Sequence, residues 1–94
     1  MADRYIVVYY LENGLNKNRL GISVSKKTGN SVVRHHLCRL VRESYRLSEC
    51  EFKAGYDIVV ICRVAAAHAD YHRIDHSFLK LCHKLGIMKD GDEA

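Results

Sequence analysis

The sequence predicts a small α+β domain, a two-layer sandwich in which two helices lie on one mixed sheet. Three observations predict it. Stretches 4–11 and 57–63 are dense in β-branched and aromatic residues. Stretch 19–25 alternates apolar with small or polar side chains. Two longer segments, starting near Asn30 and Asp70, repeat apolar residues at helical spacing. The order is β-β-α-β-α, with three main strands. A strand–helix–strand unit implies parallel neighbours, so the sheet should be mixed.

Residues 4–11 (RYIVVYYL) are apolar on both faces and read as a strand covered on both sides. Glu12-Asn13-Gly14 signals a turn, and the loop continues through Asn16 and Asn18. In the next strand Leu20, Ile22 and Val24 point one way, while Arg19, Gly21, Ser23 and Ser25 form a small polar face. These two strands most simply form an antiparallel pair. Asn30 or Ser31 can cap the first helix, with Gly29 easing the chain into it. Its apolar arc is Val33, Leu37, Leu40 and Val41, with Tyr45 at the edge. Cys50 to Gly55 reads as a connector, and strand 57–63 is apolar enough to be central. Ala65–Ala69 suits a short helical turn. The last helix runs from the N-cap Asp70 to Leu85, with Gly86 ending it and Tyr71, Ile74, Phe78, Leu81 and Leu85 as its core stripe. The 94 residues form one expected domain, frayed at 1–3 and 90–94.

Charge is distributed unevenly. Between Lys17 and Arg46 stand eight bases and one acid, Glu43, for net +7; the remainder holds seven bases against ten acids, for net −3. Such polarisation suggests a polyanionic partner, nucleic acid above all. Two motifs concentrate it. Lys26-Lys27-Thr28-Gly29-Asn30 places two ammonium groups just before a helix N-terminus, where free N–H groups and the helix dipole favour an anion. The Gly and Lys spacing of a nucleotide P-loop is missing. On the helix, His35, Arg39, Arg42 and Arg46 are spaced four, three and four apart and share one stripe, with Arg34 on a shoulder. A solvated face is the competing reading, but such faces usually mix both signs.

Other chemistries find little support. Cys38, Cys50, Cys62 and Cys82 form no C-x-x-C pair and read as reduced, mostly buried thiols of a cytoplasmic protein. No signal peptide is visible, and the apolar run Ile6 to Leu11 is too short to span a bilayer. His72 and His76, four apart on a helix, suit one metal ion, but no third ligand follows and no metal site is expected. Ser44 and His36 cannot be paired from sequence, and neither a nucleophile elbow nor paired carboxylates occur, so no catalytic residue is expected.

The stretch RLGISVSKKTGNSVVR (19–34), continuing to RLVRESYR (39–46), closely resembles the bacterial ribonuclease P protein component. YDIVVICR (56–63) and the helix around Phe78-Leu79, Leu81 and Lys84 are similar to that family in the same order, so the resemblance spans roughly 4–89. It implies a subunit without chemistry of its own. An RNA partner, ribonuclease P RNA, hydrolyses a phosphodiester with bound Mg²⁺ to remove the 5′ leader of precursor tRNA. The resemblance assigns Lys26, Lys27, Arg34, His35, His36, Arg39, Arg42 and Arg46 to RNA docking, and Tyr9 and Ser23 to a leader-binding sheet face. It also implies a left-handed β-α-β crossover, where general chain rules predict a right-handed one.

Two departures shape the expectations. The family's Arg-Asn-Arg, with a Lys two residues later, is here Arg34-His35-His36-Leu37-Cys38, so RNA affinity should lean on Arg34, Arg39, Arg42 and Arg46. The family's extra helix and short strand ahead of the segment Arg4–Leu11 are absent from this sequence. The face they cover, bearing Tyr5, Val7, Tyr9 and Ser23, is expected to lie bare, and could pair two copies as a homodimer. The alternative is a truncated basic α+β module that binds RNA without supporting processing.

Overall fold

The structure, a computed structural model, describes residues 1–89. The expected fraying of 90–94 therefore lies outside the described residues. The chain runs through β1 (Ile6–Glu12), β2 (Arg19–Val24), α1 (Ser31–Ser48), a 3₁₀ turn (Glu49–Glu51), β3 (Tyr56–Cys62), a second 3₁₀ turn (Val64–His68) and α2 (Tyr71–Leu85). This is the expected α+β order, with element bounds shifted by a residue or two.

The sheet order is β1-β3-β2. β3 is central, as its composition predicted, but β1 and β2 do not pair with each other. β1 lies antiparallel to β3, with Ile6 opposite Cys62 and Glu12 opposite Tyr56. β2 lies parallel to β3, with Arg19 opposite Asp57 and Val24 opposite Cys62. The first two strands do run in opposite directions; a third strand has been inserted between them. The loop at 13–18 explains how. Asn13 N–H donates to the Gly55 carbonyl at 2.9 Å, and Asn13 Nδ2 donates to Asp57 at 3.0 Å. Asn18 Nδ2 donates to the Lys53 carbonyl, and its Oδ1 accepts from Tyr56 N–H, both at 2.8 Å. The loop thus grips the residues that lead into β3. Two strand spacings, about 10 Å, separate β1 from β2, a gap that six residues span easily.

The helices cover one sheet face. Ile6 and Val8 of β1, Ile58, Val60 and Cys62 of β3, Leu37 and Val41 of α1, and Ile74, Phe78 and Leu81 of α2 form the buried cluster. Leu20, Ile22 and Val24 pack against it from the edge strand. Tyr71 and Leu85, expected in the α2 stripe, are only half-buried, and Ser77 and Cys82 are buried instead. The connector contributes more than its composition suggested. Phe52 is buried, with its ring 5.8 Å from Phe78 and 5.0 Å from Tyr45. Between the helices, Ser44 is fully buried and its Oγ donates to Asp75 at 2.6 Å. That bond satisfies a polar group which would otherwise be costly at this depth. His36 is exposed on α1, so Ser44 and His36 form no pair. Burial pushes the Cys62 thiol up to about 11 and the Cys82 thiol up to about 12. Cys38 is half-buried and Cys50 is exposed, so only two of the four free thiols are buried.

Three further expectations are corrected. β1 is not covered on both sides: Tyr9 is 54% and Leu11 72% exposed, because no element lies over that face among the described residues. Residues 1–3 are not frayed. Ala2 bridges to Val7, Met1 exchanges two hydrogen bonds with Val8, and Asp3 Oδ1 accepts from Tyr5 and Ile6 N–H. Tyr5 does not lie bare beside Val7 and Tyr9. It is half-buried against the core, with the Arg73 guanidinium of α2 5.5 Å from its ring centre. No helix among the described residues is long and apolar enough to cross a membrane.

Phe78→Ala should cost about 3–5 kcal/mol in urea unfolding, since it empties the junction of α2 and the connector; a loss under about 1 kcal/mol would show that Phe78 does not anchor that junction. A second outcome concerns acid. Arg19, and then Asn13, hold the Asp57 carboxyl below its ordinary 3.8 by hydrogen bonding. A carboxylate lowered in the folded state adds stability above its unfolded value and loses it as pH falls through the folded one. Between about pH 5 and pH 3 the melting temperature should fall more steeply in the parent than in Asp57→Asn. Equal slopes would count against this clasp in solution.

Candidate nucleic-acid interface

The basic segment is built from a strand end, a turn and a capped helix. Thr28 is buried, its N–H donates to the Ser25 carbonyl at 3.1 Å and its hydroxyl lies 3.4 Å from Ser25 Oγ. This holds the turn while Lys26 and Lys27 project into solvent. A Cβ at Gly29 would sit 2.8 Å from Val33 Cβ, so the close approach of turn and helix requires glycine. Asn30, rather than Ser31, is the cap: its Oδ1 accepts from Val33 N–H at 3.0 Å. No acid occupies the first turn of α1. The positive end of the helix dipole therefore meets two lysines and no compensating carboxylate, which favours an anion from outside.

Along α1, His35, Arg39, Arg42 and Arg46 are all exposed, directly opposite the buried Leu37 and Val41. From His35 to Arg46 the stripe extends about 16 Å at 1.5 Å per residue. Arg39 and Arg42 make no ion pair within the described residues. Arg46 does: its Nη2 lies 2.5 Å from Glu43 Oε1, with the arginine side chain still 66% exposed. That hydrogen bond lowers the Glu43 carboxyl below its ordinary value. Among the described residues Arg46 is thus the one stripe cation already engaged, though in a pair that solvent reaches easily.

Arg34 and His36 lie on opposite shoulders of the stripe. Arg34 is half-buried, its Nε is buried without a partner, and it lines a cavity of about 350 Å³ between β2 and α1 with Ile22, Val24 and Cys38. His36 stands exposed. The structure therefore gathers His35, Arg39, Arg42 and Arg46 on one face, and flanks it with Arg34 and His36.

Tyr9 and Ser23 belong to a different surface, the sheet face turned away from the helices. Register puts Val7, Ile61 and Ser23 in one row across it, and Tyr9, Val59 and Gly21 in the next. The third row, Leu11, Asp57 and Arg19, ends in a bidentate pair, Arg19 Nε and Nη2 to Asp57 at 2.8 Å each. Sequence reasoning passed over Arg19 because its partner lies 38 residues away. The Lys26-Lys27 turn joins the two surfaces, since it connects the strand carrying Ser23 to the helix carrying the stripe. His72 and His76 are exposed on α2, and no group of three or more His, Cys, Asp or Glu able to hold a metal occurs among the described residues.

Comparison with known proteins agrees with this architecture. The family model described as Ribonuclease P matches residues 1–86. The ribonuclease P protein component of Natranaerobius thermophilus is 44% identical over 88 residues, covering 94% of this chain and 76% of that protein. That of Thermoanaerobacter pseudethanolicus is 46% identical over 93 residues, covering 99% and 80%. Among solved structures, the Staphylococcus aureus RNase P protein superposes with a TM-score of 0.86 at 34% identity, covering 95% of this chain and 82% of that one. The Thermotoga maritima RNase P protein gives 0.80 at 34% identity, covering 86% and 77%. Match length, identity and shared fold together make this chain a member of the ribonuclease P protein family.

Proposed function

We propose that this protein, the protein component of a tRNA-processing ribonuclease P, docks on the enzyme's RNA through α1 and the Lys26-Lys27 turn. The observation that carries this reading is the two-sided character of α1. One arc is buried in the core, and the other offers His35, Arg39 and Arg42 to solvent, with no carboxylate among the described residues engaging them. Each phosphate met by Lys26, Lys27, Arg34, Arg39 or Arg42 releases condensed counterions, and arginine adds bidentate geometry. His35 and His36 stand where they can donate to the same backbone, more strongly when protonated.

The 5′ leader of precursor tRNA lies, in this reading, on the open sheet face. An unpaired strand offers aromatic-ready bases, and the exposed Tyr9 ring supplies a stacking platform. Ser23, two strands away on the same face, meets the sugar–phosphate backbone. Bond breaking belongs to the RNA partner. The Mg²⁺ used in the reaction is, in this reading, held mainly by the RNA subunit and the substrate, and no step of the protein's part runs through it. Four free thiols suit the reducing cytoplasm, where tRNA precursors are made. The exposed apolar side chains of Tyr9, Leu11 and Val59 also support pairing of two copies through the same face. Sedimentation at rising concentration checks that, and leader RNA should then compete with self-association.

Reconstitution with a bacterial ribonuclease P RNA at low Mg²⁺ tests the main reading: added protein should stimulate precursor-tRNA cleavage, and binding without stimulation would sink it. Arg39→Ala with Arg42→Ala should flatten the dependence of log affinity on log salt by about 1.4–1.8, the loss of two phosphate contacts. Arg46→Ala should do less than Arg42→Ala, because Glu43 already engages Arg46. Tyr9→Ala should weaken leader binding by about 1–3 kcal/mol while leaving affinity for the RNA partner unchanged; equal losses for both RNAs would place Tyr9 in the fold rather than the contact.

A further inference from the structure

A second cationic feature stands apart from the α1 stripe, where the start of β1 meets the start of α2. Arg4, Tyr5, His68, Asp70 and Arg73, with Ala65 and Ala69, line a concave pocket of about 460 Å³. The Arg4 guanidinium carbon lies 6.0 Å from the centre of the Tyr5 ring, and that of Arg73 lies 5.5 Å away. One aromatic ring thus holds two guanidiniums from elements almost 70 residues apart in the chain.

Their charge is left without an ion pair among the described residues. The two nearby carboxylates each accept backbone hydrogen bonds, and Asp70 itself lines the pocket. Asp3 accepts from the Tyr5 and Ile6 N–H groups at 2.8 and 3.0 Å, and its second oxygen lies 3.6 Å from Lys80. Asp70 caps α2, its Oδ1 accepting from Arg73 N–H at 2.9 Å. The arrangement also looks built to stay in place: Arg63 Nη1 donates to the Asp3 carbonyl at 2.9 Å, and Arg63 N–H donates to the Tyr5 carbonyl at 2.8 Å.

Position in the sheet suggests what the pocket receives. Ile6, Cys62 and Val24 stand in one register row, so β1 begins where β3 and β2 end. Arg4 and Tyr5, Arg63, and the Lys26-Lys27 turn therefore leave the sheet at the same end. The outer strands are two spacings apart there, about 10 Å. The opposite end carries Asp57, Glu12 and the Arg19 pair. Cations that make no ion pair among the described residues thus stand at one end of the sheet, beside both outer strands. The pocket's volume falls in the range of small-ligand sites and exceeds what a lone oxyanion fills.

We propose that Arg4 and Arg73, held by Tyr5, form a second RNA contact that takes a phosphodiester of single-stranded RNA crossing this end of the sheet. The assignment rests on the reading of the chain as an RNA-binding subunit, and extends it to a surface that the α1 stripe does not reach. Guanidiniums stacked on a ring lose little freedom when they close on a phosphate, which favours bidentate contact.

The test measures affinity of the full chain for an end-labelled ten-nucleotide RNA across a salt series. Arg4→Ala with Arg73→Ala is compared with Arg39→Ala with Arg42→Ala, and melting curves check the fold of each. Loss of two phosphate contacts should flatten the salt slope by about 1.4 and weaken binding roughly tenfold at low salt. Tyr5→Leu should weaken binding in the same direction while keeping the charge, and Arg4→Lys with Arg73→Lys should keep the slope with lower affinity. An unchanged slope in the Arg4/Arg73 variant, with a flattened one in the Arg39/Arg42 variant, overturns the pocket and leaves the subunit assignment standing. Unchanged binding of the ten-nucleotide RNA in both variants likewise overturns the pocket, and the subunit assignment falls with it only if the Arg39/Arg42 variant also keeps the parent's affinity for the ribonuclease P RNA. Inorganic phosphate displacing the RNA from the parent, at a concentration that leaves the Arg4/Arg73 variant unaffected, would mark a free-anion site and overturn the RNA assignment.

Discussion

The placement of β3 between β1 and β2 is the constraint on which the rest depends. Ile58, Val60 and Cys62 are buried on the helix side, and both edges of the strand are hydrogen-bonded. A strand this apolar is costly at an edge and stable in the centre, where neighbours satisfy its backbone and helices cover its side chains. Asn13, Asn18 and Asp57 enforce the arrangement by tying the β1–β2 loop to the start of β3. Once β3 is central, β2 and β3 are parallel and α1 must connect them across the sheet.

That connection gives α1 two jobs. Leu37 and Val41 hold it to the core, so the opposite side of the helix is committed to solvent and its arginines cannot turn inward. Ser44 adds a polar link to Asp75 of α2, fixing the helices against each other without extending the apolar surface. The cations are presented by a rigid element rather than a loop, which reduces the entropy lost when phosphates bind. The exposure of the open sheet face has the same origin. Both helices lie on one side, so the row from Tyr9 to Gly21 is left available.

The two surfaces differ in what they can recognise. The α1 stripe offers charge and hydrogen-bond donors, and so suits the phosphate backbone of a nucleic acid. The open sheet offers an aromatic ring and small residues, and so suits unstacked bases. The turn at Lys26-Lys27 borders both, and its fixed shape comes from buried Thr28 and the close contact at Gly29.

The class of fold, the helix cap at Asp70, the ending at Gly86, the centrality of β3 and the basic stripe were legible in the sequence by itself, whereas the choice of Asn30 over Ser31 as the α1 cap was not. Periodicity and capping act within one turn or one strand, so they can be read without knowing which segments meet in space. Only the tertiary structure decided the separation of β1 from β2, the burial of Phe52, the engagement of Arg46 by Glu43 and the joining of Arg4 to Arg73 across Tyr5. Each depends on which segments meet in space or which rotamer prevails, and residues such as Asp57 and Arg19, 38 positions apart, carry no mark in the sequence of the partner that folding gives them.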